Sequence, residues 1–181
     1  MKILVVGMGL IGGSICKSIK AATTHTVDGC DVQPEVLEQA LQDGAIDGTG
    51  RMEDGTYDMV ILCLHQRIAI QMVQEALPHM QAGTILVDTC GLKGRMVRDL
   101  TYRCRKHGVR YVGTHPMAGR EKSGYYASIP DLFLRANLIV TPVDDTDPEA
   151  LETVTALARE MGFGKIVTAT PMWHDNMIAY T

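Results

Sequence analysis

The sequence predicts an α/β domain built as a doubly wound, mainly parallel sheet with helices on both faces. Three observations carry that prediction. Short apolar runs alternate with segments of helical spacing, glycine or proline marks the changes between them, and a glycine-rich loop joins the first apolar run to the first helix. The 181 residues are 46% hydrophobic and 21% charged, enough for one generous folded core.

Lys2 to Val6 is nearly all apolar and ends at a glycine, as a strand buried on both faces does. Leu10 to Ala21 has helical periodicity and His25 to Asp31 reads as a second strand, which completes a βαβ unit. A helix follows from Pro34 to Gln42, with proline in the first turn where its missing N–H does no harm. Strand Asp58 to Leu64, helix Ile68 to Met80, strand Thr84 to Asp88, helix Gly94 to His107 and strand Val109 to Gly113 continue the alternation, and Gly83 and Gly108 each close a helix. After a loop from Gly119 to Ser128 come strand Asn137 to Thr141, helix Pro148 to Met161 and strand Lys165 to Ala169. Thr170-Pro171 then opens another helix.

Composition excludes several classes. A net charge of −4 with both signs dispersed offers no basic face for nucleic acid. No apolar run approaches the ~20 residues needed to span a bilayer, so no membrane association and a cytoplasmic location are expected. The cysteines, Cys16, Cys30, Cys63, Cys90 and Cys104, form no Cys-x-x-Cys pair and predict neither a disulfide framework nor a metal site.

Gly7-Met8-Gly9-Leu10-Ile11-Gly12 leaves a predicted strand and opens a predicted helix, and Asp31 ends the next strand. This is the context a Rossmann-type dinucleotide fingerprint requires. Gly7 permits the tight turn, Gly9 lets the backbone approach a pyrophosphate, and Gly12 lets helix and strand pack closely. Asp31 is placed to accept hydrogen bonds from the adenosine ribose and to repel a 2′-phosphate, which favours NAD over NADP. Met8, Leu10, Ile11, Leu64 and Cys90 are counted with these residues on the cofactor side.

Strand Val109 to Gly113 runs into Thr114-His115-Pro116-Met117-Ala118-Gly119, then Arg120-Glu121-Lys122-Ser123-Gly124. Ligands of open α/β sheets bind beyond the carboxyl ends of the strands, so His115 is the candidate catalytic base. With the opening Gly-x-Gly-Leu-Ile-Gly-Gly-Ser, Asp31, Leu132-Phe133 and His174-Asp175, this motif resembles the prephenate and arogenate dehydrogenase family of tyrosine biosynthesis. The resemblance implies NAD-dependent oxidative decarboxylation of prephenate or arogenate. His115 would take the substrate's hydroxyl proton, with Glu121 and His174 on the substrate side.

The resemblance also implies that 1–169 form the NAD-binding domain and that 170–181 begin a helix leading into a helical domain that forms a homodimer. Of the cations near the cleft, Arg120, Lys122 and Lys93 are read as exposed loop residues. One departure concerns Gly91, which occupies a position where many relatives carry serine; His65 similarly replaces a small or proline-type residue. Two alternatives remain at this point. One is an NAD-binding module without turnover, and the other is a hydroxyacid-type dehydrogenase whose catalytic lysine would lie beyond this domain.

Overall fold

The computed structural model describes residues 1–179. The chain alternates as predicted: β1 (Lys2–Val6), α1 (Leu10–Ala22), β2 (Thr26–Cys30), α2 (Pro34–Gln42), β3 (Gly48–Thr49), β4 (Met59–Leu62), α3 (Gln66–Ala76), β5 (Ile85–Asp88), α4 (Gly94–Lys106), β6 (Arg110–Met117), β7 (Asn137–Val140), α5 (Pro148–Glu160), β8 (Lys165–Thr168) and α6 (Pro171–Ile178). The strand order is β3-β2-β1-β4-β5-β6-β7-β8. Chain direction across the sheet reverses between β1 and β4, the position at which such sheets open a ligand crevice. No helix among the described residues is long and apolar enough to cross a membrane.

Pleating of β1 sends alternate side chains to opposite layers. Ile3 and Val5 pack under α1, α2 and α5 with Ile15, Ile19, Val36, Val154 and Leu157. Leu4 and Val6 pack under α3 and α4 with Ala69, Val73, Met96 and Leu100. Ile3, Leu4 and Val5 are wholly excluded from solvent, and full burial of such a side chain is worth about 1.5–3 kcal/mol. Two apolar layers on one sheet are what hold its carboxyl edge rigid.

Three details differ from the sequence reading. The predicted helix ending at Met80 instead stops at Ala76 and tightens into a 3₁₀ turn, Leu77–His79. Pro78 lies in that turn and cannot donate the amide a longer helix would need. A two-residue strand, β3, was too short to show any periodicity.

The third difference matters most. β6 does not end at Gly113 but continues to Met117, pairing parallel with β5 up to Gly113 and antiparallel with β7 from Thr114 to Met117. His115 therefore sits within a strand, opposite Ile139. Pro116 fits because β6 has no neighbour on its β5 side beyond Gly113, and an edge is where a strand accepts proline.

Candidate active site

The turn after β1 is shaped by glycine. Gly7 has φ +92 and donates its N–H to the Cys30 carbonyl at 2.8 Å. A Cβ there would lie 2.5 Å from the Cys63 carbonyl oxygen, and one on Gly12 would lie 1.9 Å from the oxygen of Gly7. Gly9, by contrast, faces open space. It is the N-cap of α1, and no side chain caps that helix end. Unsatisfied amides and the positive end of the helix dipole are thus left facing a space that only a backbone borders, which suits a pyrophosphate.

Asp31 completes this cradle. Its Oδ2 accepts the Met8 N–H at 2.7 Å and its Oδ1 the Gln33 N–H at 2.9 Å. A carboxylate has about four lone-pair sites, so acceptor capacity remains for ribose hydroxyls. Gly7, Asp31, Val32, Arg51, Leu64 and Ile68 line the adjoining crevice. The Met8 side chain points into the core and so lends the cradle only its backbone. Leu10 and Ile11 form the first turn of α1 and are partly buried. Cys90 is buried too, donating its thiol to the Leu64 carbonyl at 3.4 Å and tying two strand-end loops together. Burial pushes that thiol up to about 12, which leaves it protonated.

The second cluster lies farther along the same sheet edge. His115 on β6 is half-buried, and its Nδ1 is 2.9 Å from Nε2 of His174 on α6, the rings meeting edge to face. His174 Nδ1 is 2.9 Å from Asp175 Oδ1. That carboxylate also accepts the N–H groups of Lys93 at 2.7 Å and Gly94 at 2.8 Å, so it caps α4 from another helix. Gly94 allows the approach, since a Cβ there would lie 3.0 Å from Asp175 Oδ2. Burial raises the Asp175 carboxyl, but the bonds from Lys93, His174 and Gly94 more than offset it and hold the group below the usual carboxylate range. Burial, helped by the neighbouring His174 and Lys93, pushes His115 down to about 4. His115 is a neutral imidazole at physiological pH, able to accept a proton.

Beneath the histidines lies a buried ion pair. Lys93 and Asp88 are both fully excluded from solvent and joined Nζ to Oδ1, and Lys93 Nζ also donates to the Thr114 carbonyl. Asp88 further accepts the Tyr111 hydroxyl at 2.6 Å and the Cys90 N–H at 2.8 Å. This network pins the end of β5 and the middle of β6 to the start of α4.

One site expectation needs correction. Lys93 is no exposed loop cation, because its charge is spent on Asp88. Arg120 donates to the Ala127 carbonyl at 2.8 Å, while Lys122 is exposed. His174, an expected substrate-side residue, lies behind His115, 1% exposed, with both ring nitrogens engaged within the protein. Glu121 is exposed in the turn after β6 and takes no part in the cluster. Gly91 lies beside the base: a Cβ there would lie 3.7 Å from His115 Nε2. Sequence reasoning missed Asp88, Tyr111 and the capping role of Asp175. The signal available for the first was a charged residue ending the apolar strand Ile-Leu-Val-Asp five positions before a lysine, since buried charges come paired.

A family profile described as "Prephenate dehydrogenase, nucleotide-binding domain" matches residues 15–168. Prephenate dehydrogenase of Bacillus subtilis is 31% identical over 97% of this chain and 48% of its own length. Cyclohexadienyl dehydrogenase of Zymomonas mobilis is 30% identical over 99% of this chain and 61% of its own. Among solved structures, Synechocystis arogenate dehydrogenase superposes with a TM-score of 0.90 at 27% identity, covering 99% of this chain and 63% of that one. Prephenate dehydrogenase from A. aeolicus, in complex with hydroxyphenyl propionate and NAD+, gives 0.86 at 30% identity, covering 98% and 62%. The chain thus spans between about half and just under two-thirds of these relatives. A hydroxyisobutyrate dehydrogenase from Mycobacterium tuberculosis shares the fold at 18% identity and TM-score 0.77.

Proposed function

The chain belongs to the family of prephenate dehydrogenase nucleotide-binding domains, and from that premise we propose that it is the cofactor-binding and proton-accepting part of a dehydrogenase that oxidatively decarboxylates prephenate or arogenate with NAD, in the cytoplasm and for tyrosine biosynthesis. The observation that carries the proposal is the pairing of an empty-faced glycine cradle, closed by Asp31, with a neutral, half-buried His115 on the same sheet edge. NAD fits the cradle: Gly7, Gly9, Gly12 and the free amides of α1 suit its pyrophosphate, and Asp31 suits an unphosphorylated ribose. When bound, NAD supplies the hydride acceptor.

His115 Nε2 accepts the proton of the substrate's ring hydroxyl as that carbon is oxidised. Loss of the ring carboxylate as CO2 returns its bonding electrons to the ring, which becomes aromatic, and the oxygen recovers its proton from His115 as a phenol. No proton is therefore consumed or released overall, and the histidine is restored. The helical, dimer-forming domain expected beyond 170 belongs to the same proposal and is supported by the resemblance. Homology to prephenate and arogenate enzymes, together with the strand-held histidine, favours this reading over a hydroxyacid dehydrogenase.

The test uses the protein that contains this chain. Turnover of prephenate or arogenate is followed by the absorbance of reduced cofactor, and calorimetry measures NAD affinity. His115→Asn is expected to lower kcat on the order of 10²- to 10⁴-fold with NAD affinity nearly unchanged. Turnover of the variant within a few-fold of the parent would remove His115 from the chemistry.

A further inference from the structure

Resting on the reading of His115 as proton acceptor, we propose that His174 and Asp175 are positioning residues that lock His115 in its Nδ1–H form, so that Nε2 presents its lone pair to the cleft beside Gly91. The three groups form a line from helix to strand: Asp175 Oδ1 to His174 Nδ1 at 2.9 Å, then His174 Nε2 to His115 Nδ1 at 2.9 Å. Only one end of that line has a fixed polarity. The Asp175 carboxylate can only accept, and it already accepts the N–H groups of Lys93 and Gly94.

From that fixed end the protons sort themselves. His174 Nδ1 must donate to Asp175, because two lone pairs facing each other would repel. A neutral His174 then has a bare Nε2, which must accept, so His115 Nδ1 donates to it. His115 Nε2 is left unprotonated on the side where a Gly91 Cβ would lie 3.7 Å away. The reverse order needs a doubly protonated His174, an imidazolium at 1% exposure whose counter-charge, Asp175, is already shared with two backbone N–H groups.

The arrangement has two effects on a base. It prevents the ring from turning over, because rotation about Cβ–Cγ would break the Nδ1 bond. It also receives charge: once Nε2 is protonated, the Nδ1–H bond strengthens and the positive charge lies in line with Asp175. A carboxylate behind an imidazole acts in this way in hydrolytic triads, where it sets the tautomer and steadies the cation. Here a second imidazole stands between the two.

The expected tautomers can be read directly by long-range ¹H–¹⁵N correlation of imidazole nitrogens in protein labelled with ¹⁵N-histidine. At neutral pH, His115 and His174 should both appear as Nδ1–H forms, against the Nε2–H form that free imidazole side chains prefer. His174→Phe, which keeps the volume and removes the acceptor, should turn His115 predominantly to Nε2–H and lower kcat on the order of 10²-fold while NAD affinity holds. If His174→Phe fails to fold, the wild-type spectrum and that of Asp175→Asn decide the matter. Finding His115 as Nε2–H in the wild-type protein, or unchanged in a folded His174→Phe, overturns the proposal. The spectra need no substrate, so expected tautomers without turnover would sink the assigned reaction and leave the relay standing. Turnover that depends on His115 with the wrong tautomer would do the opposite.

Discussion

The nucleotide cradle and the histidine cluster occupy one edge of one sheet, yet they are made of different material. The cradle is almost entirely main chain: glycines that admit a turn, amides at a helix end, and one carboxylate 23 residues away. The cluster is organised by side chains, some of them seated on backbone groups, and its hydrogen bonds join residues 59 and 82 positions apart. A backbone site depends on local conformation and tolerates change in its surroundings. A side-chain site depends on packing between distant elements, and each buried polar group in it needs a partner.

The buried pair should break that comparison hardest. Lys93→Met leaves Asp88 as an unpaired charge with no solvent access, which typically destabilises by about 3–5 kcal/mol. Chemical denaturation should show the unfolding free energy falling by that amount, with NAD affinity affected only as far as the folded population falls. A loss below about 1 kcal/mol would show that the cluster is as forgiving as the cradle. The double variant Lys93→Met with Asp88→Leu should recover part of the loss, because a well-packed apolar pair can replace a buried ionic one.

How much of this was legible in the sequence follows the same division. Gly7, Gly9, Gly12 and Asp31 announce their roles through spacing, because turn, helix start and strand end follow one another along the chain. The alternation of Ile3, Leu4, Val5 and Val6 between two apolar layers is local in the same sense. Nothing in the spacing of Lys93 and Asp175 says that an amide of one meets the carboxylate of the other. Lys93 therefore read as an exposed loop cation, and the bond between His174 and His115 went unread. The extension of β6 through Pro116 was hidden because proline argues against a strand until the missing neighbour on one side is known.

On the cradle side the expected effect is smaller. Both oxygens of Asp31 accept backbone N–H groups, so Asp31→Asn sets an NH2 against one of those donors and removes the charge. Losing such a charge-assisted bond costs about 1–3 kcal/mol, or roughly 5- to 150-fold in NAD affinity. NADP should lose less, since the repulsion of its 2′-phosphate is relieved. Calorimetric titration with both dinucleotides checks this, and an unchanged affinity ratio would take Asp31 out of the discrimination.

A third effect is in the response to acid. Folding lowers the proton affinity of His115 from the ordinary imidazole value of 6.5 to about 4. Between those values the unfolded chain binds the proton and the folded chain does not. Stability is therefore fully present above about pH 6.5, declines as pH falls toward 4, and levels off below it. His115→Asn should flatten that decline when denaturation midpoints are compared across the window. Parallel curves for the two proteins would mean that His115 is better solvated than its burial indicates.

Asp175 gives the cluster a mechanical property that neither histidine has alone. One carboxylate seats the start of α4 and terminates the line of imidazoles, so the seating of one helix against another and the basicity of His115 become a single degree of freedom. The outer surface of α6 carries Met172, Trp173 and Met177 in the open, while its inner surface carries His174. A displacement of α6 by a fraction of a hydrogen-bond length would stretch two bonds at once, and force applied far from the cleft would register as a change in proton affinity inside it.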